Sequence, residues 1–330
     1  MDIDEFVALS VKHNASDLHL CAGHLPMLRI DGELRAAEGG ERVSPQQMET
    51  GCKSLLTAGM WQQLQQAGQC DLTLVLAGGN RLRANFFLQN GGISIAMRRI
   101  ARQCPTLAEL FTPEIIPALL QREDGLILVT GATGSGKSTT LAAMIDFINQ
   151  HQRRHILTLE DPIEFIHQSR CSLIQQRELG RDTQSFDQAL RAALREDPDV
   201  ILLGELRDTA TIRLALTAAE TGHLVLATLH TRNAPQAVER LVDVFTAEEK
   251  PYVRAQLANS LQAVIAQKLL SKPAGGRVAI YEILTATAAV SNMIREGKTH
   301  QLASVLQSGA QSGMQTFAQG RQQLVAQDIL

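Results

Sequence analysis

Gly131, Gly136, Lys137 and Ser138 stand at the spacing G-x-x-x-x-G-K-[ST] inside LILVTGATGSGKSTT, residues 126–140. Phosphate oxygens need several backbone N–H groups aimed at them at once. A loop that does this must curl through dihedrals that glycine tolerates. Gly131, Ala132, Thr133, Gly134, Ser135 and Gly136 supply such a loop, and Lys137, Ser138 and Thr139 open a helix-forming run behind it. The helix N-terminus favours the same anion. Lys137 can reach the β- and γ-phosphates of ATP, and the Ser138 hydroxyl can ligate Mg²⁺. Leu126 to Val129 read as the short buried strand that must precede such a loop.

Three further groups could act on a bound nucleotide. Glu160, Asp161 and Glu164 place three carboxylates within five residues, directly after the apolar run Ile156–Leu159. In isolation that is a solvated turn. Beside a phosphate loop, one carboxylate can orient or deprotonate the attacking water and another can hold metal-bound waters. Glu205 follows the apolar run Val200–Gly204, the form of a Walker B element, where an acid holds Mg²⁺ through water or polarises the nucleophile. His230 follows the run Leu224–Thr228 and could hydrogen-bond the γ-phosphate; His223 stands just before that run.

Elements must bring these residues together. From residue 125 onward, strand-like runs alternate with helical patterns, which predicts an α/β domain over 125–330 with a largely parallel sheet. Its strands are expected at 126–130, 156–159, 200–204 and 224–228. Helices are expected from Ser138, over about 185–196, and over about 208–221 with Gly222 as C-cap. Ligands sit at the carboxyl ends of strands in such sheets, where the candidate residues fall.

Residues 1–100 read as a separate α+β domain. Residues 3–13 suit a short amphipathic helix, and Asp31-Gly32 marks a hairpin. A helix is expected over 45–67, capped by Ser44 with Pro45 in its first turn. Leu72, Leu74 and Leu76, then Leu82, Ala84 and Phe86, then Ile93, Ile95 and Met97 alternate as the inner faces of three strands. Gly78, Gly79 and Asn80 provide one turn, Gly91-Gly92 the other. Arg81, Arg83, Ser94 and Arg98 fall on the outer face of this meander. Pro105, Pro113 and Pro117 break residues 101–124 into short pieces, which reads as a linker.

Composition bounds the partners. At 330 residues and a formal net charge of −3, the chain shows no long run of one sign and only 4% aromatic residues. Neither a nucleic-acid surface nor base-stacking platforms are indicated. This weighs against a nucleic-acid translocase, and the acidic residues after two strands weigh against a non-hydrolysing nucleotide-dependent scaffold, the two alternatives to a hydrolytic motor. Cys21, Cys52, Cys70, Cys104 and Cys171 form no C-x-x-C pair, so no zinc module or disulfide framework is expected. The acidic N-terminus lacks a signal-peptide hydrophobic region and no apolar run is long enough to span a bilayer, which predicts a cytoplasmic protein.

ASDLHL with PMLRIDGEL, then GATGSGKSTT, TLEDPIEF, ALREDPDVILLGELRD and TAAETGHLVLATLHT appear in that order across almost the whole chain. Together they resemble the secretion-superfamily ATPases of type IV pili and type II secretion, most of all the pilus retraction branch of twitching motility. The resemblance implies a PAS-like N-terminal domain before a RecA-like ATPase domain, and a homo-hexameric ring peripheral to the inner membrane that pulls on a pilus platform protein there. It implies that Glu164 is the general base, that Glu205 is the Walker B acid, and that His223 and His230 form a His box. Arg83 and Arg98 match basic residues that reach the nucleotide across the subunit interface. Absence of a four-cysteine zinc module and of a long N-terminal extension is a retraction-branch feature. One stretch departs from that branch: Ala289, Val290, Ser291, Asn292, Met293, Ile294 replaces an A-I-R-N-L-I-like segment, with Ser291 where an arginine is expected. ATP hydrolysis is expected to survive that change, and productive retraction is the property it puts to the test.

Overall fold

The computed structural model describes residues 3–330 except 14, 31, 38–40, 77–79, 101–102 and 274. Its contacts divide into two compact units, Met1–Gln103 and Cys104–Leu330. Of the expected turns, Asp31, Gly78 and Gly79 lie outside the described residues.

The first unit begins with α1 (Ile3–Lys12), β1 (Asp17–Cys21), β2 (Met27–Ile30) and β3 (Glu33–Ala36). It continues with α2 (Pro45–Leu55), α3 (Ala58–Ala67), β4 (Gln69–Leu76), β5 (Asn80–Gln89) and β6 (Gly92–Ile100). Its described strands form an antiparallel sheet in the order β3-β2-β1-β6-β5-β4. The alternation anticipated for β4–β6 is present: Leu74, Leu82, Ala84, Phe86, Ile93, Ile95 and Met97 share one buried core with Val7, Met48 and Leu64 of α1–α3. Ser94, expected to face outward, is buried. The single helix expected over 45–67 is two. Ser44 caps α2 in a reciprocal capping box with Gln47. Leu56 then turns extended, and the Thr57 side chain accepts from Met60 N to start α3 afresh. A threonine that can cap competes with its own inclusion in a helix.

The second unit carries α4 (Ile115–Leu119), β7 (Gly125–Thr130), α5 (Lys137–His151), β8 (His155–Glu160), β9 (Leu173–Glu178), α6 (Phe186–Ala193), β10 (Val200–Leu203) and α7 (Thr209–Glu220). Then come β11 (Leu224–Leu229), α8 (Ala234–Asp243), α9 (Lys250–Ser260), β12 (Leu261–Ser271), β13 (Arg277–Thr285), α10 (Ala288–Arg295), α11 (Leu302–Ser308) and α12 (Phe317–Ala326). The sheet order is β13-β12-β7-β11-β10-β8-β9, parallel except for β13. Residues of β7 feed two cores: Leu126 and Leu128 pack with residues of α6–α9, Ile127 and Val129 with residues of α4 and α5. A strand buried on both faces has no polar alternation, which is why it reads as a continuous apolar run. Residues 104–124, expected to be part of a linker, instead pack into the second of these cores through Leu107, Ile116, Leu119 and Leu120. Prolines shortened the helices there without keeping the apolar side chains from the sheet.

Candidate functional site

Register places the candidate groups on one edge of the sheet. Thr130 at the end of β7 pairs with Leu229 of β11, and Leu203 of β10 pairs with both Ala227 and Leu159 of β8. Four parallel strands therefore end together, and the loops that follow carry residues 131–136, His230, Glu205 and the stretch from Asp161 to Glu164. β8, next in sequence after β7, lies beyond β11 and β10. That crossover leaves the crevice in which α/β sheets bind ligands.

The loop after β7 is closely drawn. Gly134 and Gly136 adopt φ of 77° and 89°, in the region that favours glycine. A Cβ on Gly131 would come within 2.5 Å of both the Gln267 carbonyl oxygen and Ser135 Oγ. Lys137 Nζ lies back on the loop, donating to the carbonyls of Gly131 at 2.9 Å and Ala132 at 3.1 Å, with His230 Nδ1 at 3.4 Å. Burial lowers the pKa of this ammonium, while the charges of Glu205 and Glu164 act the other way. Ala132, Thr133, Gly134 and Ser138 are exposed, Thr139 is half-buried, and Ser138 stands in the first turn of α5.

A nucleotide phosphate fits this loop. α5 has no capping side chain, whereas Asp208 and Asn233 cap α7 and α8. Its first N–H groups are left for an outside acceptor. Ser135 Oγ is buried with no hydrogen-bond partner among the described residues.

The acidic groups gather around this cradle. Glu205 accepts from Arg207 Nε at 2.7 Å on one oxygen and has His230 Nε2 at 3.2 Å on the other. Lys137, His230, Glu205 and Arg207 thus form one chain. Thr130 Oγ1 ties the end of β7 to the Leu229 and Thr231 carbonyls on either side of His230, at 3.1 and 3.0 Å. Glu160 is held by Thr158 Oγ1 at 2.6 Å and Gln176 Nε2 at 3.1 Å. Desolvation raises its pKa, the neighbouring Glu164 charge adds to this, and the hydrogen bonds oppose it. Glu164 is exposed, close enough for its charge to act on Lys137.

His223 is not brought into this cluster. It precedes β11, whose six residues at about 3.3 Å each put it roughly 20 Å from the edge carrying His230. Its ring Nδ1 lies 3.0 Å from the Ala218 carbonyl and closes the end of α7. As their positions in the sequence imply, the two histidines flank β11 and stand at its opposite ends. Arg83 and Arg98 are directly opposed on β5 and β6, both exposed. Arg98 pairs with Asp17 at 2.8 Å, the arginine side chain 72% exposed and the aspartate side chain 11%. Burial pushes the Asp17 carboxyl up, but hydrogen bonds from Ser16 and Arg98 bring it below its ordinary value.

Several site residues escaped the motif search. Gln267 of β12 touches the phosphate loop from the neighbouring strand. Gln176 and Glu178 of β9 hold the turn that carries Glu164: Gln176 bonds Glu160, the Phe165 carbonyl and His167 N, and Glu178 accepts from Ile163 N at 3.0 Å. Only the QRE run in an otherwise unassigned stretch could have signalled the latter pair.

A family model described as type II/IV secretion system protein matches residues 3–274. The chain is 57% identical over all 330 residues to the uncharacterized protein YggR of Escherichia coli (strain K12), covering 100% of both. It is 48% identical to the type IV pilus retraction ATPase PilT of Pseudomonas aeruginosa, covering 100% of this chain and 96% of that one. Among solved structures, a crystal structure of the pilus retraction motor PilT with bound ADP superimposes with a TM-score of 0.93 at 44% identity, covering 100% of this chain and 94% of the other.

Proposed function

The chain belongs to the family of type II/IV secretion system proteins, and from that premise we propose that it is an ATP-hydrolysing motor of the pilus retraction type, working as a homo-hexamer. The observation that carries the reading is the convergence of Lys137, His230 and Glu205 at the edge where the phosphate loop opens. A binding module needs the cradle alone; carboxylates and a histidine in reach of its lysine suit hydrolysis.

In this reading the N–H groups of residues 131–139 bind the phosphates, and Lys137 leaves the Gly131 and Ala132 carbonyls to meet them. Ser138 and Glu205 would hold Mg²⁺, which would neutralise charge on the phosphate oxygens. Glu164 takes the proton of the attacking water, and Glu160 lies half-buried four residues before it on the same turn. His230 links Glu205 to Lys137, so loss of the γ-phosphate is felt at both. Arg83 and Arg98 meet the nucleotide of a neighbouring subunit, which couples hydrolysis to domain motion. The load is an inner-membrane platform protein of a pilus machine, and the protein works from the cytoplasmic side. Among the described residues no helix is long and apolar enough to cross a membrane.

The direct test is steady-state ATPase activity of Lys137→Ala and Glu205→Ala. Both are expected to lose at least about 100-fold in turnover while keeping the parent's circular dichroism spectrum. Turnover near the parent's in either variant would sink the hydrolytic reading. Ser291 lies half-buried on α10, whose buried side is Val290 and Ile294. Pilus length and twitching of a deletion strain test retraction apart from hydrolysis.

A further inference from the structure

Gln267 lies on β12, the parallel neighbour of the strand that leads into the phosphate loop. It is 132 positions from Ser135, the loop residue it bonds, so nothing local in the sequence connects the two. Gln267 is 2% exposed. Its Nε2 donates to the Ser135 carbonyl at 2.7 Å, and its Oε1 accepts from Thr140 Oγ1 at 2.8 Å. One amide therefore joins the loop to the first turn of α5. Its orientation is determined by its partners, because the Ser135 carbonyl can only accept and must face the nitrogen. Both glycines of the motif also lie against this residue. A Cβ on Gly131 would meet the Gln267 carbonyl oxygen at 2.5 Å, and one on Gly136 would meet its Nε2 at 2.9 Å.

A phosphate loop works only if its N–H groups face inward and its carbonyls face away, because an inward carbonyl would repel the anion. The Ser135 carbonyl belongs to the loop itself, and Gln267 draws it outward. The chain of contacts continues behind the loop: Tyr281 pairs with Gln267 across β12 and β13, and its hydroxyl donates to the Leu110 carbonyl at 3.3 Å. We propose that Gln267 is a positioning residue for nucleotide binding, holding the phosphate loop in its receptive shape before the ligand arrives. The proposal rests on the nucleotide reading of the loop above, and it adds a residue outside the motif to the binding machinery. Preorganisation of this kind lowers the cost of ordering the loop when the phosphates bind.

The test is the affinity of the full-length chain for ADP, by calorimetric titration, with Gln267→Met, Thr140→Val and Thr140→Ser. Methionine keeps the approximate shape of glutamine without its amide. Valine keeps the shape of threonine without its hydroxyl, leaving the amide held by the Ser135 carbonyl alone. Q267M is expected to bind ADP about 10-fold more weakly and T140V about threefold, while T140S, which retains the hydroxyl, stays within about twofold of the parent. In steady-state ATPase assays, KM of Q267M is expected to rise by a larger factor than kcat falls; a merely structural role would lower thermal stability without that split. Folded Q267M that binds ADP as the parent does overturns the proposal. Should Q267M fail to fold, T140V decides alone, and parent-like affinity in it overturns the proposal equally. Failure of the nucleotide reading itself looks different: the parent would then bind no ADP.

Discussion

At the residue scale, the site is a set of groups already engaged with one another. Glu205 has a partner on each oxygen, Arg207 and His230, and Lys137 rests on its own loop. Nucleotide binding must exchange these contacts for others. Arg207→Ala is therefore expected to change the KM for ATP more than it changes thermal stability, since an ion pair with one largely exposed partner contributes only about 0–1 kcal/mol. ATP titration of initial rates beside a melting curve checks this. Glu160 gives a pH prediction. Its pKa is raised above the ordinary 4.5 by desolvation, so in that window the folded state binds more protons than the unfolded one. Stability is lost on this account as pH rises from near 4.5 through the folded value. Glu160→Gln removes the effect, so its melting temperature relative to the parent is expected to be higher at about pH 7.5 than at about pH 5. A pH-independent difference would show that the carboxylate is not carrying it. Identities of the acids and of His230 were legible because each follows an apolar run. That Glu205 would be shared between Arg207 and His230 was not, because those contacts depend on loop paths.

At the element scale, β9 is the piece that sequence patterning missed and the site depends on. Its run LIQQRE has no apolar alternation because it is the edge strand of the sheet, and its polar residues are turned to a purpose. Gln176 and Glu178 reach the Glu160–His167 turn from the side. Gln176→Ala is expected to lower kcat by about 10-fold or more while ADP affinity stays within about twofold, the reverse of the pattern expected for Gln267→Met. Rapid-quench and titration measurements on the two variants separate the roles. β12 and β13 were also left unassigned, although Pro273, Gly275 and Gly276 stand between their apolar runs as a turn signal. The break between α2 and α3 turned on one capping threonine, Thr57.

At the scale of the whole molecule, the two units carry complementary parts of the proposed chemistry. The second holds the cradle, the acids and His230; the first presents Arg83 and Arg98 side by side. Two guanidiniums directly opposed across a sheet repel, and Asp17 beside Arg98 offsets part of that. If the arginines act in a neighbouring subunit, Arg98→Ala is expected to be inactive alone. Mixing it with Lys137→Ala subunits should then restore about a tenth or more of parent turnover, as binding-competent and arginine-bearing subunits meet. Turnover that stays at the level of the separate variants in every mixing ratio would leave the trans role without support.

The sequence by itself determined the nucleotide motif, the α/β alternation and the acids that follow two strands, because these depend on local spacing and on burial periodicity. It also determined which face of the first unit's meander is apolar. Only the tertiary structure decided which of those residues share a site. It brought Gln267 to the site from a strand distant in the chain, and Gln176 and Glu178 from the edge strand β9 beside β8. The physical reason is the same in each case: side-chain type and local period set what an element is, whereas hydrogen-bond partners between elements are set by strand order and register, and those emerge only when the whole sheet is assembled.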